Sequence, residues 1–367
     1  MSKIKNDAIF KHIRDHYKTM EGYSSAGMLG GKDQNKTYLN ANENPYALPG
    51  LEGLNRYPEP QPPALLEAYA QTYGVENTQI AMTRGADEAL VILTKTFCEP
   101  HKNQILINSP TFGMYAVDAH AMPSGVVDVP LIKENGTFKL DHIEIVTQAK
   151  NPDNHIKLVF LCSPNNPTGG SFSHEIISEI CEALEGHAIV ILDEAYAEFS
   201  EAGSMTADLD STPNLIILRT LSKAYSFAGM RMGCMLCADE DFISLVRTKI
   251  LDAYPLPLMS IEAAFHVLSP EIQPIVQENI EKILAERKRM NKELKQCDSI
   301  THIYPSDTNF LLIEMKNAKE FCAFAAENSI VIRDFSSQKG TENCLRLTIG
   351  TPEENDAVLA LFNKFKA

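Results

Sequence analysis

Between residues 79 and 236, short apolar runs alternate with stretches of helical periodicity, and this alternation constrains the fold more than any other feature of the chain. Seven of the runs have the length and apolar content of buried strands. The pattern indicates an α/β fold in which helices cover both faces of a mostly parallel, seven-stranded sheet. The predicted strands are 80–83, 105–108, 126–129, 158–162, 188–192, 215–218 and 233–236, and predicted helices between them include 87–97, 114–121 and 174–184.

A polar turn after the run 215–218 carries a lysine, Lys223, close to two hydroxyls and an arginine. Thr220, Ser222 and Arg231 are suited to bind a phosphate group, and the amine of Lys223 has the chemistry to form a Schiff base. A solvated surface lysine is the alternative interpretation. In sheets of this kind, ligands gather at the carboxyl ends of the strands, which favours a binding site at this turn.

Three other turns at predicted strand ends supply groups that suit the same site. The segment Thr83-Arg-Gly-Ala-Asp-Glu88 opens a helix, so the N–H groups of Ala86 and Asp87 can bind an anion, although Asp87 alone would also serve as a helix cap. Asn166 lies in a turn with two prolines, and Asp193 and Tyr196 follow an apolar strand. A lysine, a carboxylate and a phosphate-binding turn together suit pyridoxal phosphate.

Bulk properties narrow the classes of function. A net charge of −15 argues against a nucleic-acid partner but permits a locally positive pocket for a small anion. No apolar run approaches the roughly 20 residues that span a bilayer, and no signal peptide is evident, so we expect a soluble, cytoplasmic protein. The eight cysteines fit reduced thiols, and the Cys234–Cys237 pair fits a core strand better than a metal site.

The two ends of the chain differ from its centre. Residues 1–22 have the periodicity of an amphipathic helix, and residues 38–63 form an irregular arm that is rich in Asn and Pro. Beyond residue 255, a long charged helix (274–296) precedes a smaller α+β pattern, with strands at 310–313, 330–333 and 345–348 and helices at 318–328 and from Pro352. The predicted units are an N-terminal helix and arm (1–40), a large cofactor-binding domain (41–255) and a small domain (256–367).

Several motifs resemble the fold-type I pyridoxal-phosphate aminotransferases and, within them, the histidinol-phosphate aminotransferase family. The resemblance covers nearly the whole chain. The Asp-Glu-Ala-Tyr and Ser-Lys turns are typical of the superfamily, and the first and third motifs below are typical of this narrower family. The motifs are Leu39-Asn-Ala-Asn-Glu-Asn-Pro, Arg56-Tyr-Pro-Glu, Arg84-Gly-Ala-Asp-Glu, Ser163-Pro-Asn-Asn-Pro-Thr-Gly, Asp193-Glu-Ala-Tyr, Thr220-Leu-Ser-Lys-Ala and Cys344-Leu-Arg-Leu-Thr-Ile-Gly.

The resemblance implies a role for each candidate site residue. Lys223 would form the Schiff base with pyridoxal 5′-phosphate, Asp193 would bind its ring nitrogen, and Tyr115 would stack on its ring. Tyr196 and Asn166 would bind its phenolic oxygen. The cofactor phosphate would be held by Ala86, Asp87, Thr220, Ser222, Arg231 and, from the neighbouring subunit of a homodimer, Tyr57; substrate would be held by Arg333, Arg346 and Tyr23.

The activity that the resemblance implies is amino transfer between L-histidinol phosphate and 2-oxoglutarate, as in histidine biosynthesis. An arginine fork suits both carboxylate and phosphate, so one site can accept both substrates. Three alternatives stay open: an aromatic amino-acid aminotransferase, a threonine-phosphate decarboxylase, and a cofactor-binding regulatory module without turnover. The last resembles regulators that carry a DNA-binding helix-turn-helix, for which the segment before the cofactor domain is too short and the charge too acidic.

Overall fold

A computed structural model of the chain describes residues 8–22 and 37–365. The regular elements of the predicted α/β region are present, and further strands follow near the carboxyl end of the chain. In chain order the strands are β1 (Ile80–Thr83), β2 (Gln104–Ile107), β3 (Gly125–Asp128), β4 (Ile132–Glu134), β5 (Thr137–Lys139), β6 (Ile156–Cys162), β7 (Ile189–Asp193), β8 (Leu215–Thr220), β9 (Gly233–Cys237), β10 (Ile300–Ile303), β11 (Phe310–Met315), β12 (Arg333–Asp334) and β13 (Cys344–Thr348).

Seven strands form the large sheet in the order β1-β9-β8-β7-β6-β2-β3. The pairs β8–β7, β7–β6, β6–β2 and β2–β3 are parallel, whereas β9 runs antiparallel to both of its neighbours. All seven predicted strands are therefore confirmed, together with the mostly parallel sheet. Cys234 and Cys237 lie on β9, where both side chains are buried, as expected for a core strand.

The central strands are apolar throughout because both faces of the sheet are covered. Every residue of β7 and β8 is buried. Successive side chains of a strand point to opposite faces, so Ile189 and Ile191 join one hydrophobic cluster, while Val190 and Leu192 join the other. Polar residues at alternate positions would be buried in such a strand, so its sequence is a continuous apolar run.

Helices flank the large sheet and continue into the last third of the chain. Predicted helices 114–121 and 174–184 have the predicted bounds. No helix of the described residues combines the length and the apolar character that a membrane span requires. In chain order the helices are α1 (Asp15–Thr19), α2 (Pro63–Tyr73), α3 (Gly85–Phe97), α4 (Met114–Ala121), α5 (His142–Lys150), α6 (His174–Leu184), α7 (Glu240–Leu245), α8 (Leu258–Val267), α9 (Gln273–Leu294), α10 (Ala318–Glu327) and α11 (Pro352–Lys364).

A second sheet of four strands, all antiparallel, has the order β10-β11-β13-β12. Its core includes Met290 and Leu294 from the end of α9. The first half of α9 packs instead with the core of the large sheet, through Val276 and Ile280. The long helix thus contacts both cores, and the domain division at residue 255 stays a prediction.

Some expectations for the ends of the chain are wrong. The described part of the segment 1–22 contains a 3-10 turn at Phe10–His12 and the short helix α1, not one continuous helix, because Ile13 and Arg14 have extended backbone between them. The strand predicted at 330–333 is reduced to Arg333–Asp334. Helices α2, α5, α7 and α8, the β4–β5 hairpin and strand β10 were not predicted. Residues 41–62 contain neither helix nor strand, which confirms the irregular arm.

Candidate active site

The carboxyl ends of β7 and β8 form the floor of a cavity of about 250 Å³. Asp193 is the last residue of β7, Thr220 is the last residue of β8, and Lys223 follows in the next turn. Neighbouring parallel strands place these side chains side by side. The cavity is lined by Ala86, Asp87, Phe112, Cys162, Asn166, Asp193, Ala195, Tyr196, Thr220, Ser222, Lys223, Ala228, Arg231 and Arg346.

The Lys223 amine lies above an aromatic ring and among charged groups of both signs. Its Nζ is 5.5 Å from the centre of the Tyr196 ring. Burial lowers the pKa of Lys223, and the positive charge of Arg346 lowers it further, while the carboxylates of Asp87 and Asp193 oppose that shift. A lowered pKa increases the fraction of neutral amine, which is the form that attacks a carbonyl and that accepts a proton.

Asp193 is the buried acid of the site, with 4% of its surface exposed. Its Oδ2 accepts a hydrogen bond from the Tyr115 hydroxyl at 2.7 Å, and its Oδ1 accepts one from the Ala195 N–H at 3.1 Å. Burial raises the pKa of Asp193, whereas these two hydrogen bonds lower it. A buried carboxylate held in this way attracts a cation, and the ring nitrogen of a protonated pyridine is such a cation.

The phosphate-binding set predicted from the sequence is assembled at the start of α3. Arg231 Nη2 lies 2.9 Å from the Asp87 carboxylate, and Arg231 Nη1 lies 3.4 Å from the Ser222 hydroxyl. The Thr220 hydroxyl is 3.0 Å from the Ser222 hydroxyl. Gly85 has a φ of +70°, and a Cβ there would lie 2.8 Å from Arg231 Nη2. Glycine is therefore required for the close approach between the arginine and the helix start.

The small sheet contributes an arginine wall, which consists of Arg333 on β12 and Arg346 on β13. The two arginines are directly paired across the strands. The Arg346 guanidinium lies between two rings, 5.2 Å from the centre of Phe310 and 5.4 Å from that of Phe335. It also donates a hydrogen bond to Asn166 Oδ1, which joins the wall to the loop after β6. Burial lowers the pKa of Arg346, as does the positive charge of Arg333.

Behind the floor, a buried ion network ties the two strand ends together. Arg219 Nη1 lies 2.7 Å from Glu194, and Arg219 Nη2 lies 2.6 Å from Glu198. Glu194 directly follows Asp193, and Arg219 directly precedes Thr220. The exposed fractions of the Arg219 and Glu194 side chains are 5% and 2%. This network was not predicted from the sequence, although a charged residue inside an apolar strand is a signal for one.

The structure corrects the expectation for Tyr115. Its side chain is fully buried, stacks on Phe160 at 4.9 Å, and does not line the cavity. Phe112, three residues earlier, lines the cavity instead and meets Tyr115 edge to face. The aromatic residue available to stack on a bound ring is therefore Phe112, and Tyr115 lies beneath the floor as a partner of Asp193. Cys162 is a second cavity residue that sequence reasoning missed.

Most of the other predicted residues meet at this cavity, whereas Tyr57 and Arg333 do not line it. Ala86, Asp87, Asn166, Tyr196, Thr220, Ser222 and Arg231 line it with Lys223 and Asp193. Tyr57 lies outside, stacked on Tyr254 of the same chain at 4.1 Å. Arg333 is paired across the strands with Arg346, which does line the cavity. Tyr23 lies outside the described residues.

Comparison with known proteins shows to which family the chain belongs. Residues 35–362 match the model of "Aminotransferase class I and II". The chain belongs to this aminotransferase family. A histidinol-phosphate aminotransferase 2 of Idiomarina loihiensis is 38% identical over 94% of this chain and 96% of the relative. A histidinol-phosphate aminotransferase of Blochmanniella floridana is 37% identical over 96% of this chain and 97% of the relative.

Solved structures support the same fold for this aminotransferase. The histidinol-phosphate aminotransferase of Clostridium acetobutylicum superimposes with a TM-score of 0.76 at 21% identity, covering 85% of this chain and 92% of the other. The enzyme of Sinorhizobium meliloti, solved in complex with pyridoxal-5′-phosphate, gives a TM-score of 0.73 at 22% identity, covering 84% and 83%. The predicted fold-type I architecture is therefore confirmed.

Proposed function

We propose that this aminotransferase transfers the amino group of L-histidinol phosphate to 2-oxoglutarate, giving imidazole acetol phosphate and L-glutamate, as in histidine biosynthesis. The observation that carries the proposal is the similarity to histidinol-phosphate aminotransferases, at 36–38% identity over at least 94% of this chain. The cavity supports it, because a reactive amine, a buried acid and two arginines, Arg231 and Arg346, meet there.

The residues of the cavity fit pyridoxal 5′-phosphate. Lys223 would hold the cofactor covalently, Asp193 would pair with its ring nitrogen, and Phe112 would stack on its ring. Tyr196 and Asn166 would bind the phenolic oxygen. The close approach of Arg231 to Gly85, which a Cβ would block, creates an anion-binding corner at the start of α3. The phosphate would be held there by Ala86, Asp87, Thr220, Ser222 and Arg231.

When bound, the cofactor withdraws electrons from the amine-bearing carbon of the substrate and so weakens its C–H bond. Asp193 maintains this withdrawal by holding a positive charge at the ring nitrogen. Lys223, once released, takes the proton from that carbon and later returns a proton, because its lowered pKa leaves a useful fraction of neutral amine. The aromatic ring of Tyr196 lies beside the same amine.

The arginine wall would bind the anionic ends of both substrates. Arg346 presents a planar fork that matches the two oxygens of a carboxylate, and the paired Arg333 supplies a second positive charge for a phosphate. Contact with Phe310 and Phe335 holds the Arg346 guanidinium in place without neutralising it. Tyr23 would contribute a further contact to the substrate phosphate.

A homodimer is part of the proposal. The arm that precedes α2 carries a series of exposed large apolar side chains, as expected of a segment that packs on another chain. Tyr57 would then contact the cofactor phosphate of the neighbouring subunit. The exposed residues are Leu39, Tyr46, Leu48, Leu51, Leu54 and Tyr57.

A cytoplasmic location and the three predicted units complete the proposal. The eight cysteines are all unpaired, as expected in a reducing compartment. The large unit would bind the cofactor, and the small one would present the arginine wall.

The test is a steady-state comparison of L-histidinol phosphate with L-phenylalanine, each with 2-oxoglutarate as acceptor. We expect kcat/KM to be at least about 100-fold higher for histidinol phosphate, because its phosphate would pair with the positive charges of the arginine wall. Equal values would favour an aromatic aminotransferase. Release of carbon dioxide from threonine phosphate would favour a decarboxylase, and no turnover of any amine would favour a regulatory module.

A further inference from the structure

Tyr115 has a hydroxyl that packing alone does not explain. Its ring is fully buried and stacks on Phe160, an interaction that phenylalanine would provide equally well. The hydroxyl donates to Asp193 Oδ2 at 2.7 Å. A buried hydroxyl is unfavourable without a partner, whereas a hydrogen bond to a charged acceptor is about twice as strong as a neutral one.

The two oxygens of Asp193 are held by different elements. Tyr115, in the first turn of α4, holds Oδ2, and the Ala195 N–H, in the turn after β7, holds Oδ1. With one donor on each oxygen, the carboxylate cannot rotate, and each oxygen keeps a lone pair for another partner.

We propose that Tyr115 is a positioning residue, whose hydroxyl keeps Asp193 ionised and correctly oriented beneath the reacting centre. The proposal rests on the proposed function insofar as Asp193 serves the cofactor. The stabilisation of the Asp193 carboxylate by the Tyr115 hydroxyl depends only on these two side chains. In this role Tyr115 acts through Asp193 and contacts neither cofactor nor substrate.

The protonation state of the pair supports this assignment. Burial raises the pKa of Tyr115 well above its ordinary value, and the negative charge of Asp193 raises it further, so the hydroxyl stays a donor. Burial also raises the pKa of Asp193, and the bond from Tyr115 opposes that rise. The other titratable groups that act on Asp193 or surround it are Asp87 on α3, Cys162 on β6, Lys223 after β8, and Tyr196 after β7.

The sign of the pH effect follows. In the folded apoenzyme the pKa of Asp193 is raised by burial. The free energy of unfolding therefore falls as the pH rises through the titration of Asp193, because ionised Asp193 is less favourable in the folded state than in the unfolded one. The Tyr115 hydroxyl reduces this cost. Tyr115→Phe therefore raises the pKa of Asp193, and its stability deficit relative to wild type grows as the pH increases through that titration. Where Asp193 is protonated in both proteins, the deficit is small.

Tyr69→Phe is the matched control. Tyr69 is also fully buried, but its hydroxyl has no hydrogen-bond partner within the described part of the chain. The first experiment measures the melting temperature of wild-type, Tyr115→Phe and Tyr69→Phe apoenzymes as a function of pH. We expect a deficit that grows with pH for Tyr115→Phe alone. A deficit independent of pH, or the same curve for both variants, would overturn the proposal.

The second experiment measures the pH profile of kcat for the holoenzymes. We expect Tyr115→Phe to lower kcat roughly 10-fold, with KM changed by less than about threefold, and to shift the acid limb of the profile to higher pH. A wild-type kcat and pH profile in Tyr115→Phe would contradict the positioning role. If no protein transaminates, the proposed function fails, while the melting curves still decide whether Tyr115 stabilises the Asp193 carboxylate.

Discussion

The floor and the arginine wall of the cavity hold their charges in different ways. On the floor, Asp193 is nearly inaccessible, and hydrogen bonds occupy both of its oxygens. On the wall, Arg346 is partly exposed and is held chiefly by two aromatic rings and one amide. A charge fixed by short hydrogen bonds keeps one geometry. A cation between aromatic faces remains able to bind different anions. The floor is thus built for one chemical step, and the wall for exchange of substrates.

The ion pairs of the two regions support the same contrast. Behind the floor, Arg219 is buried between Glu194 and Glu198 and joins the ends of β7 and β8. On the wall, Arg333 and Arg346 are neighbours of like charge, and the charge of Arg333 lowers the pKa of Arg346. Repulsion of this kind is relieved when an anion binds. We infer that the floor is stable in the absence of ligand, whereas the wall gains stability from its substrate.

The largest effect is expected for the Lys223→Ala variant. Loss of the amine removes both the covalent anchor and the proton-transfer group, so turnover falls by roughly 10⁴-fold or more. The measurement is kcat with histidinol phosphate, together with the absorbance of the bound cofactor, which changes when Lys223 cannot form its bond. Lys316→Ala, at an exposed position after β11, is the control. Substantial turnover in Lys223→Ala would refute the assignment of the floor.

The next largest effect is expected for the network behind the floor. Arg219→Met leaves the buried carboxylate of Glu194 and the partly buried one of Glu198 without their cation, so we expect a loss of about 3–5 kcal/mol in the free energy of unfolding. Arg289→Met removes a more exposed pair with Glu286 and Asp356 and should cost at most about 1 kcal/mol. Chemical denaturation measures both variants. Similar losses in the two would show that the strand ends do not depend on the network.

On the wall, Arg346→Gln should impair binding more than chemistry. Without the guanidinium fork, we expect KM for 2-oxoglutarate to rise roughly 10- to 100-fold. Arg346→Lys keeps the charge but loses the two-pronged geometry, so its KM should lie between those of wild type and Arg346→Gln. Steady-state kinetics at several concentrations of 2-oxoglutarate separates KM from kcat. A fall in kcat at constant KM would assign Arg346 to the floor rather than to the wall.

The smallest predicted effect links the two regions. The positive charge of Arg346 lowers the pKa of Lys223, so Arg346→Gln should raise that pKa. Neutral amine then appears only at higher pH, and the pH midpoint for the rate at which apoenzyme takes up pyridoxal phosphate should shift upward. Arg333→Gln is the control, because Arg333 lowers the pKa of Arg346 but is not among the charges that shift the pKa of Lys223. An unchanged midpoint in Arg346→Gln would show that the floor and the wall are electrostatically independent.

Sequence reasoning predicted the strands that form the floor better than it predicted several of the helices. Continuous apolar runs define strands buried on both faces, so the end of each run locates Asp193 and Lys223 within a few residues. Helices α5, α7 and α8 were missed because they are short, at 9, 6 and 10 residues, so each offers few turns over which a helical period can be recognised. Helix α2 was missed because it begins at Pro63, at the end of a proline-rich segment where helix-breaking residues mask a first-turn proline.

The assignment of Tyr115 shows a second limit. Phe112 and Tyr115 are three residues apart at the start of one helix, and the sequence alone does not show which ring faces the cavity. The orientation depends on how α4 packs against β6, where Phe160 accepts the Tyr115 ring. Likewise, the contacts among Glu194, Arg219 and Glu198 depend on the order of the strands, which a pattern of apolar residues does not specify.

The most direct test of the central claim is a half-reaction. Holoenzyme is mixed with L-histidinol phosphate in the absence of 2-oxoglutarate, and the ketone product is counted per subunit. If Lys223, Asp193 and the arginine wall form one aminotransferase site, each subunit yields a single equivalent of imidazole acetol phosphate and then stops until 2-oxoglutarate is added. No ketone, or continued release of product without the acceptor, would contradict the account.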